Sequence, residues 1–278
     1  MNPIKIGLAG FGVVGRGTFE VLARNQEEIR RRAGRGIEVA AIAVRDTARA
    51  RAAVPAAVRV SGDCMALARD PEIDIVVELM GGTEPARSLV LAAIAAGKHV
   101  VTANKALLAT HGNEIFAAAQ KAGVMVAFEA AVAGGIPIIK ALREGLTANR
   151  IQWVVGIING TSNFILSEMR AKGLPFDTVL AEAQRLGYAE ADPSFDIEGV
   201  DAAHKLTLLS AIAFGVPINF GAAHVEGISR LAAEDIRYAE QLGYRIKLLG
   251  ITKRTEQGIE LRVHPTLVPM RRLLANVE

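Results

Sequence analysis

The chain has 278 residues, of which 51% are hydrophobic and 22% charged, with 27 glycines against 10 prolines; that length supplies a core for one large or two medium domains, and the usage excludes disordered, collagenous and low-complexity chains. Thirty-two basic side chains against 29 acidic ones give +3, scattered and too small for a nucleic-acid binder held by counterion release. Cys64 is the single cysteine, which excludes an internal disulfide, a zinc-thiolate site and a CxxC redox pair and fits a reducing, cytoplasmic compartment.

From an N-terminus that lacks the basic region and hydrophobic core of a signal peptide, short β-branched runs alternate with alanine-rich stretches. That is the sign of βαβ crossovers and a parallel sheet buried on both faces. The pattern predicts strand 4–8, helix 18–32, strand 37–44, helix 64–69, strand 73–79, helix 84–96, strand 99–101, helix 106–122 and strand 124–128. The basic run Arg30 to Arg35 closes the first of these helices, where cations complement the dipole. Five strands in this rhythm make a doubly wound α/β domain, residues 1–130. The rhythm then changes. A helix opened by Pro137 runs to residue 144 and leads into the apolar strand 151–158, then helices 164–172, 176–186, 200–214 and 232–242. Strands 244–255 and 259–264 follow as an antiparallel pair joined at Gln257-Gly258. Residues 131–278 therefore read as a second, mixed α/β domain. The longest uncharged stretch, 207–223, carries Pro217 and Asn219 and is too short for a membrane span.

Gly10-Phe11-Gly12-Val13-Val14-Gly15 follows the first strand and opens a helix, the context that makes GxGxxG a dinucleotide-binding signal. Gly10 permits the turn, Gly12 lets a pyrophosphate approach the backbone, and Gly15 lets helix and strand pack closely. At the end of the second strand a carboxylate would hold the ribose hydroxyls of NAD, whereas a guanidinium would pair with the 2'-phosphate of NADP. Arg45 comes first and Asp46 after it, which favours NADP and leaves NAD as the alternative. Two more loops, Gly81-Gly82-Thr83 and Thr102-Ala103-Asn104-Lys105, fall at the carboxyl edge, where ligands of such sheets bind. Lys105 stands at a helix N-terminus, a poor place for a lysine on dipole grounds, and is a candidate functional cation.

Residues 187–201 concentrate carboxylates between two predicted helices, among them Glu190, Asp192, Asp196, Glu198 and Asp201. Lys205 lies four residues after Asp201, on the same helical face. It shares that face with Leu208 and Ile212, and Ala202, Leu206, Leu209 and Ala213 form the adjoining stripe, so little water should reach it. A buried lysine pairs with a carboxylate or loses its proton, and one held between those states can exchange a proton with a reacting oxygen. His204, beside Thr207 and Ala211, reads as structural.

The run Ala183, Gly187, Tyr188, Asp192-Pro193, Asp196, Gly199, Asp201 and Lys205 resembles the signature of the homoserine dehydrogenase family. The likeness continues in the glycine turn, in Ala103-Asn104-Lys105, in 129–137, in Asn159-Gly160-Thr161-Ser162-Asn163-Phe164, in Val225-Glu226-Gly227-Ile228 and in Leu242-Gly243-Tyr244. The resemblance implies a Rossmann domain joined to a catalytic and dimerisation domain. It also implies NAD(P)-dependent interconversion of L-homoserine and L-aspartate 4-semialdehyde, a step towards threonine, methionine and isoleucine. By that likeness Lys205 is the proton donor, Asp201 orients it and Lys105 assists. Glu190 holds the substrate ammonium, helped by Gly160, Thr161, Tyr188 and Asp196. Glu129 with Val132, Gly134 and Ile136 resembles the family's structural sodium site, and the family's usual partner is a second copy of itself. The family's catalytic domain continues beyond residue 278, and many members add a regulatory ACT domain. The rival readings are another NAD(P)-dependent dehydrogenase of a small hydroxy substrate and a non-catalytic nucleotide sensor.

Overall fold

The structure, a computed structural model, describes residues 2–278. It forms two compact units that part between Pro137 and Ile138. The first carries strand β1 (Ile4–Ala9), helices α1 (Val13–Arg24) and α2 (Gln26–Ala33), β2 (Ile37–Ala43), α3 (Thr47–Ala52), β3 (Arg59–Ser61) and α4 (Met65–Arg69). There follow β4 (Ile75–Glu78), α5 (Ala86–Ala95), β5 (His99–Thr102), α6 (Lys105–Ala122) and β6 (Val126–Ala127). The six strands run parallel in the order β3-β2-β1-β4-β5-β6, so the order reverses beside β1. That reversal opens the crevice in which doubly wound sheets bind ligands. Leu8, Ile42 and Val77 from three neighbouring strands meet Phe11, Ala50 and Val58 in the buried layer.

Two expectations need correction here. The sheet has six strands rather than five: β3 is a three-residue edge strand with one apolar residue, Val60, and no alternation to betray it. The helix expected at 18–32 is two helices. The first begins at Val13, because Gly12 caps it and two β-branched valines disguise the start. Asn25 then leaves helical geometry at φ −103°, ψ 22°, as a residue whose side chain competes for backbone hydrogen bonds does readily.

The second unit begins with α7 (Ile138–Lys140), whose last residues widen into a π-helical turn, Ala141–Gly145, in place of a regular helix over 137–144. It continues through β7 (Trp153–Gly156), α8 (Gly160–Lys172), α9 (Phe176–Arg185), α10 (Ser194–Ile197), α11 (Val200–Phe214), β8 (His224–Val225), α12 (Ala233–Gln241), β9 (Tyr244–Thr255) and β10 (Gly258–Pro269). Its sheet is mixed, in the order β7-β9-β10-β8. β9 and β10 form a long antiparallel hairpin, and β8 joins β10 in parallel only at Arg262 and Val263. Beyond β8, β10 is an edge, which is why Pro265 and Pro269 are tolerated there. β7 is shorter than the expected 151–158, since Ile158 has left the ladder and its carbonyl serves a side chain of α11. α11 packs its length into a core of Ile165, Met169, Ala203, Leu206, Ile228 and Val263.

Candidate active site

In the first unit the glycine turn does what its spelling requires. Gly10 sits at φ +96°, and a Cβ there would lie 2.5 Å from the Leu79 carbonyl oxygen; a Cβ on Gly15 would lie 2.3 Å from that of Gly10. Gly12 differs, since a Cβ there would meet no protein atom within 4 Å. Its bareness leaves the first backbone N–H groups of α1 open to a ligand phosphate. Val13 and Val14 follow, exposed, at the start of α1.

A cavity of about 570 Å³ lies beside this turn, lined by Gly10, Phe11 and Gly12 from the turn, Arg45 and Asp46 from the end of β2, and Leu79, Met80 and Gly81 from the end of β4. Three guanidinium-bearing residues share it, Arg16, Arg45 and Arg49. Asp46 has a second duty: its Oδ1 accepts the Arg49 N–H at 3.0 Å and caps α3, which engages one of its two carboxylate oxygens. Val13, Val14, Gly15, Thr83 and Lys105 lie outside the lining of the cavity. Lys105 is the first residue of α6, half-buried behind Asn104, whose Oδ1 caps the helix through the Leu107 N–H at 3.0 Å.

In the second unit the acidic loop and α11 converge. Lys205 Nζ donates to Asp201 Oδ2 at 2.7 Å and to the Ile158 carbonyl at 3.0 Å. The lysine side chain is 20% exposed and Asp201 5%, so water reaches the ammonium more than the apolar helix suggested, while the carboxylate is shut away. An ammonium carries three donors, and these contacts engage two. Asn159 joins the acids, donating to Asp196 Oδ1 at 2.7 Å and to Asp201 Oδ2 at 2.9 Å while its own Oδ1 caps α8 through the Ser162 N–H. Asp201 thus has a buried amide and an ammonium on one oxygen, an arrangement that holds Lys205 at a fixed point.

Around this cluster Thr161 Oγ1 donates to the Tyr188 carbonyl at 2.8 Å, and the Tyr188 ring lies 4.7 Å from that of Phe164. Gly160 opens α8, and Glu190 and Tyr188 are exposed. Asp192 accepts both the hydroxyl and the backbone N–H of Ser194, which hold its carboxyl below the usual carboxylate range. His204 is buried between the rings of Phe195 and Phe220, at 5.3 and 4.4 Å, in keeping with a structural part.

Glu129 opens a turn in the first unit whose backbone hydrogen bonds run to the carbonyls of Phe128, Glu129 and Ala133. The carbonyls of Val132, Gly134 and Ile136 stand outside those bonds among the described residues. One carboxylate with backbone oxygens is a hard-cation donor set.

Arg16, Arg49 and Asn159 carry no assignment in the sequence reading. For the arginines no spacing rule exists: Arg16 sits in the first turns of α1 and Arg49 in the short α3, and the fold alone brings both to the cavity. Asn159 did have a signal, an N-cap residue directly before a helix, but its bonds to two distant acids are tertiary.

Residues 137–278 match the family described as homoserine dehydrogenase, and residues 10–129 match the homoserine dehydrogenase NAD-binding domain. Homoserine dehydrogenase from Pseudomonas aeruginosa is 64% identical over all of this chain, which spans 63% of that relative's length. A crystal structure of a homoserine dehydrogenase from Thiobacillus denitrificans superposes with a TM-score of 0.96 at 70% identity, covering 100% of this chain and 64% of that one. A hyperthermophilic archaeal homoserine dehydrogenase in complex with NADPH gives a TM-score of 0.82 at 25% identity, over 98% of this chain and 84% of the other.

Proposed function

The chain belongs to the homoserine dehydrogenase family, and from that premise we propose that it carries the catalytic region for reversible reduction of L-aspartate 4-semialdehyde to L-homoserine with NADPH, a step towards threonine, methionine and isoleucine. The observation that carries this reading is the pair in α11: an ammonium with one donor to spare, gripped by a buried carboxylate. Reduction of an aldehyde needs a proton for the developing alkoxide, and Lys205 Nζ is the group to give it. Asp201 and the Ile158 carbonyl hold two of its N–H groups and so aim the third. Lys105, at the start of α6 in the first unit, is the second cation we assign to the reaction. Glu190, with Asp196, Tyr188, Gly160 and Thr161, takes the substrate's ammonium, since an amino group calls for carboxylate and carbonyl oxygens.

The first unit fits the coenzyme. When bound, the nicotinamide supplies or accepts the hydride. Gly10, Phe11, Gly12, Val13, Val14 and Gly15 receive the pyrophosphate, with Thr83 and Lys105 on the adjoining loops, and Arg45, which lines the cavity with Arg16 and Arg49, selects the 2'-phosphate of NADP. Glu129 with the Val132, Gly134 and Ile136 carbonyls would hold a structural sodium ion. The protein works in the cytoplasm as a homodimer, in which the exposed Trp153 of edge strand β7 supports an interface through the second unit.

The test is NADP-linked oxidation of homoserine by this chain and by Lys205→Ala. The variant is expected to lose about 10²-fold or more in kcat, the scale of general acid-base catalysis, with its affinity for NADPH unchanged. Near-normal turnover by the variant would sink the assigned proton donor.

A further inference from the structure

Glu78 ends β4 and is 0% exposed. A carboxylate buried so completely is costly unless its oxygens are satisfied. Both are: Oε1 accepts the Met80 N–H at 2.8 Å and Oε2 accepts the Thr102 hydroxyl at 2.6 Å. Thr102 stands opposite Glu78 in the β4/β5 ladder. Its hydroxyl oxygen also accepts the Asn104 N–H at 3.0 Å, so its single proton points at the carboxylate. The relay has one direction, Asn104 N–H to Thr102 O–H to Glu78. Asn104 closes the circuit with its side chain, donating from Nδ2 to the Gly82 carbonyl at 2.6 Å. Glu78 is thus the terminal acceptor for one line from each sheet-edge loop, 80–83 and 103–105.

The first of these loops is also the wall of the coenzyme cavity. Leu79 N donates to the Ala9 carbonyl at 2.8 Å, and the Leu79 carbonyl is what forbids a side chain on Gly10. Leu79, Met80 and Gly81 line the cavity together with Gly10 and Gly12. We propose that Glu78 is a positioning residue for the coenzyme: its carboxylate locks both sheet-edge loops in register with the glycine turn, so that NADPH meets a preformed site. The inference rests on the dehydrogenase reading above and adds a residue to it that never touches the substrate.

The experiment is direct NADPH titration of the full chain, followed by coenzyme fluorescence, with thermal melting of each variant and steady-state kinetics alongside. Glu78→Gln keeps the shape but turns an NH₂ towards one of two groups that are already donors. The Kd for NADPH is expected to rise about tenfold, the worth of one lost charge-assisted hydrogen bond, with KM for homoserine unmoved. Thr102→Val should weaken NADPH in the same way, Thr102→Ser should restore it, and the Glu78→Gln/Thr102→Val double variant should be no worse than the weaker single one. A folded Glu78→Gln whose Kd stays within about twofold of the unaltered chain overturns the proposal. If that variant does not fold, the threonine pair decides: Thr102→Val that binds NADPH as the unaltered chain does overturns it equally. A chain that binds NADPH but cannot oxidise homoserine would overturn the assigned reaction and leave this inference standing.

Discussion

Lys247 shows how one buried amine differs from another. It is 2% exposed on β9, donating to Asn163 Oδ1, Ser167 Oγ and the Val277 carbonyl. Burial, aided by the neighbouring charges of Arg170 and Arg245 and opposed by Glu278, brings its pKa down to about 8. Lys205, by contrast, has a carboxylate in hand. The consequence for Lys247 is a pH-dependent stability. In the unfolded chain it titrates near ~10.4, so between pH 8 and that value the native state binds fewer protons than the unfolded one. Stability contributed at this residue therefore rises with pH through the window and is lowest below pH 8. Urea unfolding at pH 7 and pH 10 should show the chain gaining on Lys247→Met by up to roughly 3 kcal/mol, the shift converted at 1.36 kcal/mol per unit. An unchanged difference between the two proteins would show that Lys247 keeps its proton throughout.

At the scale of elements, α8 and α11 are joined through the cap of one and the first turn of the other. Asn159 closes the N-terminus of α8 and at the same time bridges Asp196 and Asp201. Asn159→Ala should cost about 1–2 kcal/mol from the lost cap and lower kcat about tenfold by freeing Asp201. Asn159→Asp separates the two effects: aspartate caps as well as asparagine, but it sets a third carboxylate against two others. Its kcat should fall further than that of the alanine variant, while urea unfolding shows whether α8 retains its end. Elements of this kind divide sharply in how far they can be read in advance. The glycine turn, β1, β2 and α11 were legible because periodicity and local steric demand specify them. β3 was not, being a three-residue edge that takes its form from β2 alone, nor was the break at Asn25. Within the site, Asp201 and Lys205 were readable from their four-residue spacing, whereas Glu78 was hidden in an apolar strand, its partners set by the β4/β5 register.

Across the whole molecule, the cavity beside the glycine turn and the Asp201/Lys205 pair belong to different units, on either side of the Pro137/Ile138 division. Arg45→Ala should raise the Kd for NADPH by tens of fold, on the scale of a lost guanidinium-phosphate pair, and leave kcat at saturating coenzyme alone. Asp201→Asn should do the reverse, and the double variant should show both losses multiplied; a double variant much better or worse than the product would reveal coupling between the units. The double duty of Asp46, cap of α3 and part of the cavity wall, carries a lesson for redesign. If Arg45 reads a 2'-phosphate as proposed, an engineer wishing to favour NADH would remove Arg45 and keep Asp46, whose Oδ2 takes no part in the cap. Replacing Asp46 instead would strip α3 of its terminus along with the acid that faces the cavity, so the two neighbours are not interchangeable targets.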